Sequence, residues 1–380
     1  MLKRFEVRNY KNFKENFSIE FDKAAGYQFN PECLINGLIG KMIIYGKNAT
    51  GKTNLGWAIM DIRTNLIGLN RRRGTSSFLN VDSESNCAYF KYEFELNEKN
   101  VIYEYEKSSQ RNLLTERLWI DGDSIFSIDF EANVYDFSGL KIVNAETLIV
   151  DRFKQAIQEE TDNEETIPFL RWIIMNTPLS RDSVLYMMDK FIKNMNLSIV
   201  SEGIMALPSI IEEKYVEYLS KEHHLAELTE FLNRMDIPCE LTILESIDGT
   251  KNLYFDKKKP IHFFSNASSG TKSLFRLYLK LSILASTSSF LYMDEFDAFY
   301  HYEMAEKVIL FLKEKYPKCQ MIFTTHNTNL MSNRLMRPDC LFILSQSGKL
   351  TALCDATQRE LREGHNLEKM YISGEFEKYE

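Results

Sequence analysis

Eight consecutive residues, Gly46-Lys47-Asn48-Ala49-Thr50-Gly51-Lys52-Thr53, constrain this chain more than any others. They follow a short apolar run, Lys41–Tyr45, that reads as a buried strand. They lead into a segment whose Leu55, Ala58, Ile59, Ile62 and Leu66 fall on one helical face. A G-x-x-x-x-G-K-T pattern between a strand and a helix is a phosphate-binding loop. Glycines let backbone N–H groups turn inward, and the helix directs the positive end of its dipole at the anion. The candidate nucleotide contacts are therefore Gly46, Lys47, Asn48, Ala49, Thr50, Gly51, Lys52 and Thr53, with Asn54 next along the helix. Lys52 is expected to reach the β- and γ-phosphates of ATP, a catalytic role, and the Thr53 hydroxyl to ligate Mg²⁺.

Three later segments are weak alone and gain meaning beside this loop. Phe290-Leu291-Tyr292-Met293-Asp294-Glu295 has the form of a buried strand ending in two acids. Asp294 is the candidate second metal ligand, and Glu295 the candidate base that orients and deprotonates water. Asp297 follows closely and is a candidate coupling residue. Ser268-Ser269-Gly270-Thr271 opens an amphipathic helix with Leu274, Leu277, Tyr278, Leu281 and Leu284 on one face. Such a turn is an ordinary helix cap and also a ready anion site. Thr324-Thr325-His326-Asn327 follows a third apolar run, Met321–Thr325, and places His326 where it can hydrogen-bond a γ-phosphate or the attacking water.

Composition narrows the class. The chain has 380 residues and a formal net charge of −8, which argues against a globally basic nucleic-acid binder but leaves room for a local basic track. Two dense basic runs, Arg71-Arg72-Arg73 and Lys257-Lys258-Lys259, read as solvated loops or as phosphate contacts. Cys33, Cys87, Cys239, Cys319, Cys340 and Cys354 are scattered without C-x-x-C spacing and read as reduced thiols. There is no signal-peptide pattern and no apolar run of membrane-spanning length, so a cytoplasmic protein without membrane association is expected.

Short apolar runs alternating with amphipathic helices indicate an α/β fold with a parallel sheet. Residues 88–128 alternate aromatic and charged residues, with turns at Asn97–Asn100 and Asp121–Asp123, and read as an antiparallel meander. Residues 150–235 have helical period, interrupted at Pro168, Pro178 and Pro208. The expected division is a first lobe over 1–150 with the phosphate loop and meander, a mainly helical insertion over 151–255, and a second lobe over 256–380.

In order, the four elements resemble ATP-binding-cassette (ABC) type ATPases, in which a Ser-Gly signature closely precedes the Asp-Glu strand. Within that class the chain resembles the soluble branch holding the structural-maintenance (SMC) and DNA-repair ATPases and the overcoming-lysogenization-defect (OLD) family. More closely, it resembles the prokaryotic AAA-family ATP/GTP-phosphatase group often found in phage-defence operons. Phe5 to Phe13 resembles that group's opening strand-turn, Tyr103-Glu104-Tyr105 and Glu116-Arg117-Leu118 its meander, and Asp294-Glu295-Phe296-Asp297 with His301 its acidic segment. Thr324 to Leu330 resembles its His loop, and Leu367 to Gly374 its C-terminal helix end.

The resemblance implies a P-loop NTPase fold of ABC-ATPase type, a two-lobed head with an antiparallel β subdomain and a helical insertion. It implies ATP and Mg²⁺ as cofactors, and a homodimer or higher even-numbered oligomer that sandwiches ATP. Lys52, Thr53, Asp294 and Glu295 would act in cis on a nucleotide capped in trans by Ser268 and Gly270. Two features depart from the pattern. No Gln lies between the loop helix and residue 109, so Asn80 or a neighbouring Ser is the candidate replacement for the usual Mg²⁺-ligating glutamine. The signature reads Ala-Ser-Ser-Gly-Thr. Residues 151–255 are too few for long coiled-coil arms, and no nuclease module is expected beyond the ATPase. The expected function is an ATPase sensor or scaffold that controls an effector nuclease or toxin from a neighbouring gene in anti-phage defence. The competing expectation is a repair-type ATPase that clamps duplex DNA, with nucleic acid as partner.

Overall fold

The computed structural model describes residues 1–68, 77–159, 166–199, 209–221, 223–246, 249–284, 288–298 and 301–380. Arg71-Arg72-Arg73 and Pro208, and the side chain of Leu284, lie outside what it describes.

The core is a six-stranded sheet in the order Met195–Ile199, Phe290–Asp294, Gln320–Thr325, Lys41–Tyr45, Leu341–Leu344 and Leu350–Ala352. The first five strands run parallel, and the last turns back antiparallel. Strands covered on both faces need apolar side chains at every position, which is why these stretches read as unbroken runs. All five residues of Lys41–Tyr45 and of Phe290–Asp294 are buried.

Helix Lys52–Ile67 packs on this sheet, and its Leu55, Ala58, Ile59 and Ile62 are all 0% exposed. Gly56 sets how closely it can approach. A Cβ there would lie 2.8 Å from the Tyr292 ring and 2.9 Å from Leu197, closer than carbon atoms pack.

The outer face of that helix meets a second, seven-stranded antiparallel sheet, in the order Val134–Asp136, Asp123–Asp129, Leu113–Ile120, Lys99–Lys107, Ala88–Leu96, Leu2–Arg8 and Phe17–Glu20. The hairpin turns fall at Asn97 and Glu98 and at Asp121 and Gly122, whose positive φ angles suit two-residue turns. Tyr92, Phe94, Tyr103 and Tyr105 alternate inward along two neighbouring strands. They close over a buried ion pair, Lys107 Nζ to Asp61 Oδ2 at 2.9 Å, with Tyr105 donating to the same carboxylate at 2.9 Å. Two charges this deep persist only when each lone pair and proton finds a partner.

The stretch read as mainly helical contains helices Val150–Glu159, Phe169–Asn176, Val184–Lys193, Ser209–Leu219 and His224–Arg234. It also supplies Met195–Ile199, the edge strand of the core sheet, which pairs in register with the acid-tipped strand. This stretch thus also contributes a strand to the core sheet. Five residues directly after a helix carry too little period to announce a strand. Beyond it, a three-stranded sheet (Leu241–Glu245, Lys251–Phe255, Ile261–His262) leads through a short turn of helix into the signature helix Ser269–Leu284. Tyr278 of that helix donates to the His224 carbonyl, and Phe231 bridges to Phe311 with ring centroids 4.9 Å apart. This packing fixes the helical layer to helix Tyr302–Lys315.

Candidate functional site

The site forms where three parallel strands end side by side. Lys41–Tyr45 feeds the phosphate loop, Phe290–Asp294 ends in the acids, and Gln320–Thr325 lies hydrogen-bonded between them. Loops at the carboxyl ends of parallel strands converge in this way in open α/β sheets.

The loop itself is shaped as its motif requires. Ala49 and Gly51 have φ of 66° and 100°, which turns the chain tightly before helix Lys52–Ile67 begins. Lys52 is 5% exposed, and its ammonium donates to the carbonyls of Gly46 at 2.6 Å and Lys47 at 2.9 Å. Burial pushes its pKa below the ordinary value, an effect opposed by Asp294, Glu295 and Asp297. Tyr292 donates to the Lys52 carbonyl at 2.5 Å, tying the strand to the first turn of the helix.

Asp294 is 1% exposed and engaged on both oxygens. Thr53 Oγ1 donates to its Oδ2 at 2.6 Å, and Thr324 Oγ1 donates to its Oδ1 at 2.7 Å. The Thr324 hydroxyl in turn accepts the Glu295 N–H at 2.9 Å. Glu295 itself sits at φ 47°, in the left-handed region that a side chain of this kind rarely adopts. Asp297, 7% exposed, accepts from Thr325 Oγ1 at 2.8 Å. Burial raises its pKa, while the Thr325 hydroxyl counteracts the shift. Two neighbouring threonines on the middle strand thus hold the two aspartates of the acidic segment. The sequence pointed to His326 in this loop and passed over Thr324 and Thr325, because a hydroxyl in a β-strand is ordinary until its partner is known. His326 is exposed, close enough to Asp297 to act on its carboxyl electrostatically.

A second contribution unforeseen from the sequence comes from the opening strand-turn. Asn54 donates to Asn12 Oδ1, and a Cβ at Gly51 would lie 3.2 Å from Asn12 Cβ. Asn80 braces that turn: its side chain donates to the Lys11 carbonyl at 2.5 Å, and its N–H donates to Asn9 Oδ1 at 3.2 Å. Its amide is thus engaged with Lys11, and its Oδ1 accepts the Asp82 N–H at 3.0 Å.

Ser268 and Gly270 lie at the start of helix Ser269–Leu284. Ser268 caps its own helix, accepting the Thr271 N–H at 3.0 Å, and is exposed. The structure therefore gathers Gly46–Asn54, Asp294, Glu295 and His326 around the ends of three neighbouring strands, while Ser268 and Gly270 lie at the start of helix Ser269–Leu284.

The donor set suits a nucleotide with Mg²⁺. A threonine hydroxyl and an aspartate already share a hydrogen bond at the strand tip, hard oxygen ligands of the type Mg²⁺ takes.

Residues 208–332 match a family model described as AAA domain, putative AbiEii toxin, Type IV TA system. That match covers about a third of the chain, from the helical layer to the His326 loop, and does not include the phosphate loop. No curated protein matches the chain. Among solved structures, it is similar to an SMC head bound to the C-winged helix domain of ScpA, with 15% identity over 93% of this chain and 97% of that one, and a TM-score of 0.49. It is similar to the SMC head domain from Thermotoga maritima, with 17% identity over 92% and 98% and a TM-score of 0.45. A third, the Smc head with an extended coiled coil bound to the C-terminal domain of ScpA, derived from Pyrococcus furiosus, shows 15% identity over 99% of both chains and a TM-score of 0.47. The architecture is α/β, a six-stranded, mainly parallel sheet joined to a seven-stranded antiparallel one.

Proposed function

We propose that this protein is an Mg²⁺-dependent ATPase whose nucleotide site is completed by a second copy of the chain. The 2.6 Å contact between Thr53, in the first turn of helix Lys52–Ile67, and Asp294, 241 positions away in sequence, carries the reading. It joins the loop that cradles phosphate to the acid that holds its counter-ion. Mg²⁺ bound there supplies charge neutralisation for the β- and γ-phosphates. Lys52 adds a fixed positive charge. Glu295, held by the Thr324 clamp, takes the proton of the attacking water, and His326 contacts the γ-phosphate side of the site.

Ser268 and Gly270 act on the nucleotide of the partner protomer. Ser268 and Ser269 at their helix N-terminus are exposed, and a helix N-terminus stabilises anionic charge. ATP then joins two protomers head to tail, and hydrolysis releases them. The dimer's state controls an effector in trans, in anti-phage defence. The net charge of −8 and the toxin–antitoxin description of the matching family model support this reading over DNA clamping. The exposed run Lys257–Lys259, in the loop before Ile261–His262, is what favours a nucleic-acid partner instead.

The trans arrangement is tested by mixing two inactive chains, Lys52→Ala and Ser268→Arg. One of the two sites in each mixed dimer should be intact, so a 1:1 mixture with about half heterodimers should recover up to about a quarter of wild-type turnover. Absence of any recovery, with both variants folded, would exclude it.

A further inference from the structure

The C-terminal helix end singled out in the sequence, Leu367 to Gly374, has no part in the chemistry above, yet it leads to the phosphate loop. Phe376 is 0% exposed and anchors the residues that follow. Glu380 then lies beside the loop: its Oε2 is 2.5 Å from Lys47 Nζ, and its side chain is only 17% exposed. The Tyr371 hydroxyl hydrogen-bonds the same carboxylate. The Gln346 N–H points at the Glu380 carbonyl at 3.4 Å, which sets the segment against the end of strand Leu341–Leu344.

Strand order says which end of a nucleotide this carboxylate meets. Leu341–Leu344 flanks the loop strand on one side, and Gln320–Thr325 with the acid-tipped strand lies on the other. Thr53 and Asp294, joined by a hydrogen bond, would hold the metal and with it the γ-phosphate on the acid side. The nucleoside therefore extends towards Leu341–Leu344 and Glu380. The chemistry agrees with the topology. Burial alone would raise the Glu380 pKa, but the bonds from Lys47 and Tyr371 outweigh it and hold the carboxyl below its ordinary value. An ionised carboxylate only accepts hydrogen bonds. Phosphate oxygens offer it none, whereas ribose hydroxyls and base amines do.

We infer that Glu380, braced by Lys47 and Tyr371, is a nucleoside-contacting residue that makes the site prefer a nucleoside triphosphate over bare polyphosphate. This rests on the nucleotide reading of the loop. The test uses the full chain with Mg²⁺ and measures equilibrium binding of ATP and of inorganic tripolyphosphate. Glu380→Ala should weaken ATP about tenfold or more, the loss of one charge-assisted hydrogen bond, and leave tripolyphosphate unchanged. Tyr371→Phe should give a smaller loss with the same selectivity. Unchanged ATP affinity in Glu380→Ala would overturn the inference. So would a parallel tightening of both ligands, which would mean that the carboxylate merely repels phosphate. If the unaltered chain bound neither ligand, the nucleotide reading itself would fall, and this inference with it.

Discussion

Thr324 and Asp294 are joined by a 2.7 Å hydrogen bond between neighbouring strands, and the same threonine hydroxyl accepts the Glu295 N–H at 2.9 Å. One side chain thus fixes the candidate metal ligand and holds the next residue in a strained backbone conformation, φ 47°. Such strain persists only where surrounding contacts over-determine it, and it gathers at functional sites.

Thr324→Val keeps the shape of the side chain and removes the clamp. Leaving the Glu295 N–H unpaired is expected to cost about 1–3 kcal/mol of stability. Turnover should fall roughly a hundredfold as the base loses its position, with ATP affinity little changed. Thr324→Ser should retain most activity. Steady-state ATPase assays with thermal denaturation check both, and wild-type turnover in the valine variant would rule the clamp out.

Glu295→Gln keeps size and backbone conformation but cannot accept a proton. Hydrolysis is expected to drop by about 10²–10⁴ while ATP binding persists, and ATP-bound dimers should accumulate in light-scattering or sizing experiments. A variant that turns over normally would assign the base elsewhere.

Gly56→Ala places a methyl group 2.8 Å from the Tyr292 ring and 2.9 Å from Leu197. Either the helix shifts off the sheet or Tyr292 loses its bond to the Lys52 carbonyl. Destabilisation of about 1–3 kcal/mol is expected, together with weaker ATP binding, because the first helical turn moves with its anchor. Calorimetry and nucleotide titration would show the two effects together.

Glu116 provides a pH test. Buried between the antiparallel sheet and helix Phe169–Asn176, it accepts from the Phe169 N–H at 2.6 Å, the Leu170 N–H at 3.0 Å and the Tyr103 hydroxyl at 2.8 Å. Burial raises its pKa from 4.5 to about 7, and the three donors limit the rise. The folded pKa lies above the unfolded one, so its contribution to stability is full below pH 4.5 and is lost as pH rises to about 7. A shift of this size corresponds to about 3 kcal/mol across that window. Glu116→Gln should flatten the dependence of unfolding free energy on pH between about 4.5 and 7, measured by denaturant titration.

Much of the site was legible because its parts are local. Gly46–Thr53 announces a loop, and the 3.6-residue spacing of Leu55, Ala58, Ile59 and Ile62 predicts the buried face of the following helix. Phe290–Asp294 shows its burial in an unbroken apolar run, and Tyr92 with Tyr103 and Tyr105 shows the alternation of a meander. Consecutive residues carry these periods, since backbone geometry repeats over two or four positions.

Other relationships exist only once the strands are ordered. Thr324 meets Asp294 across 30 positions, Lys107 meets Asp61 across 46, and Thr53 meets Asp294 across 241. Met195–Ile199 becomes the edge of the core sheet by pairing with a strand far along the chain, not by any period of its own. Glu380 reaches the loop because Phe376 buries and carries the segment there. The sequence by itself determined the phosphate loop, its helix and the acid-tipped strand, each set by the local periods of side chains. Which hydroxyl holds which carboxylate was decided by sheet order and register, because hydrogen bonds between distant residues depend on where packing places them.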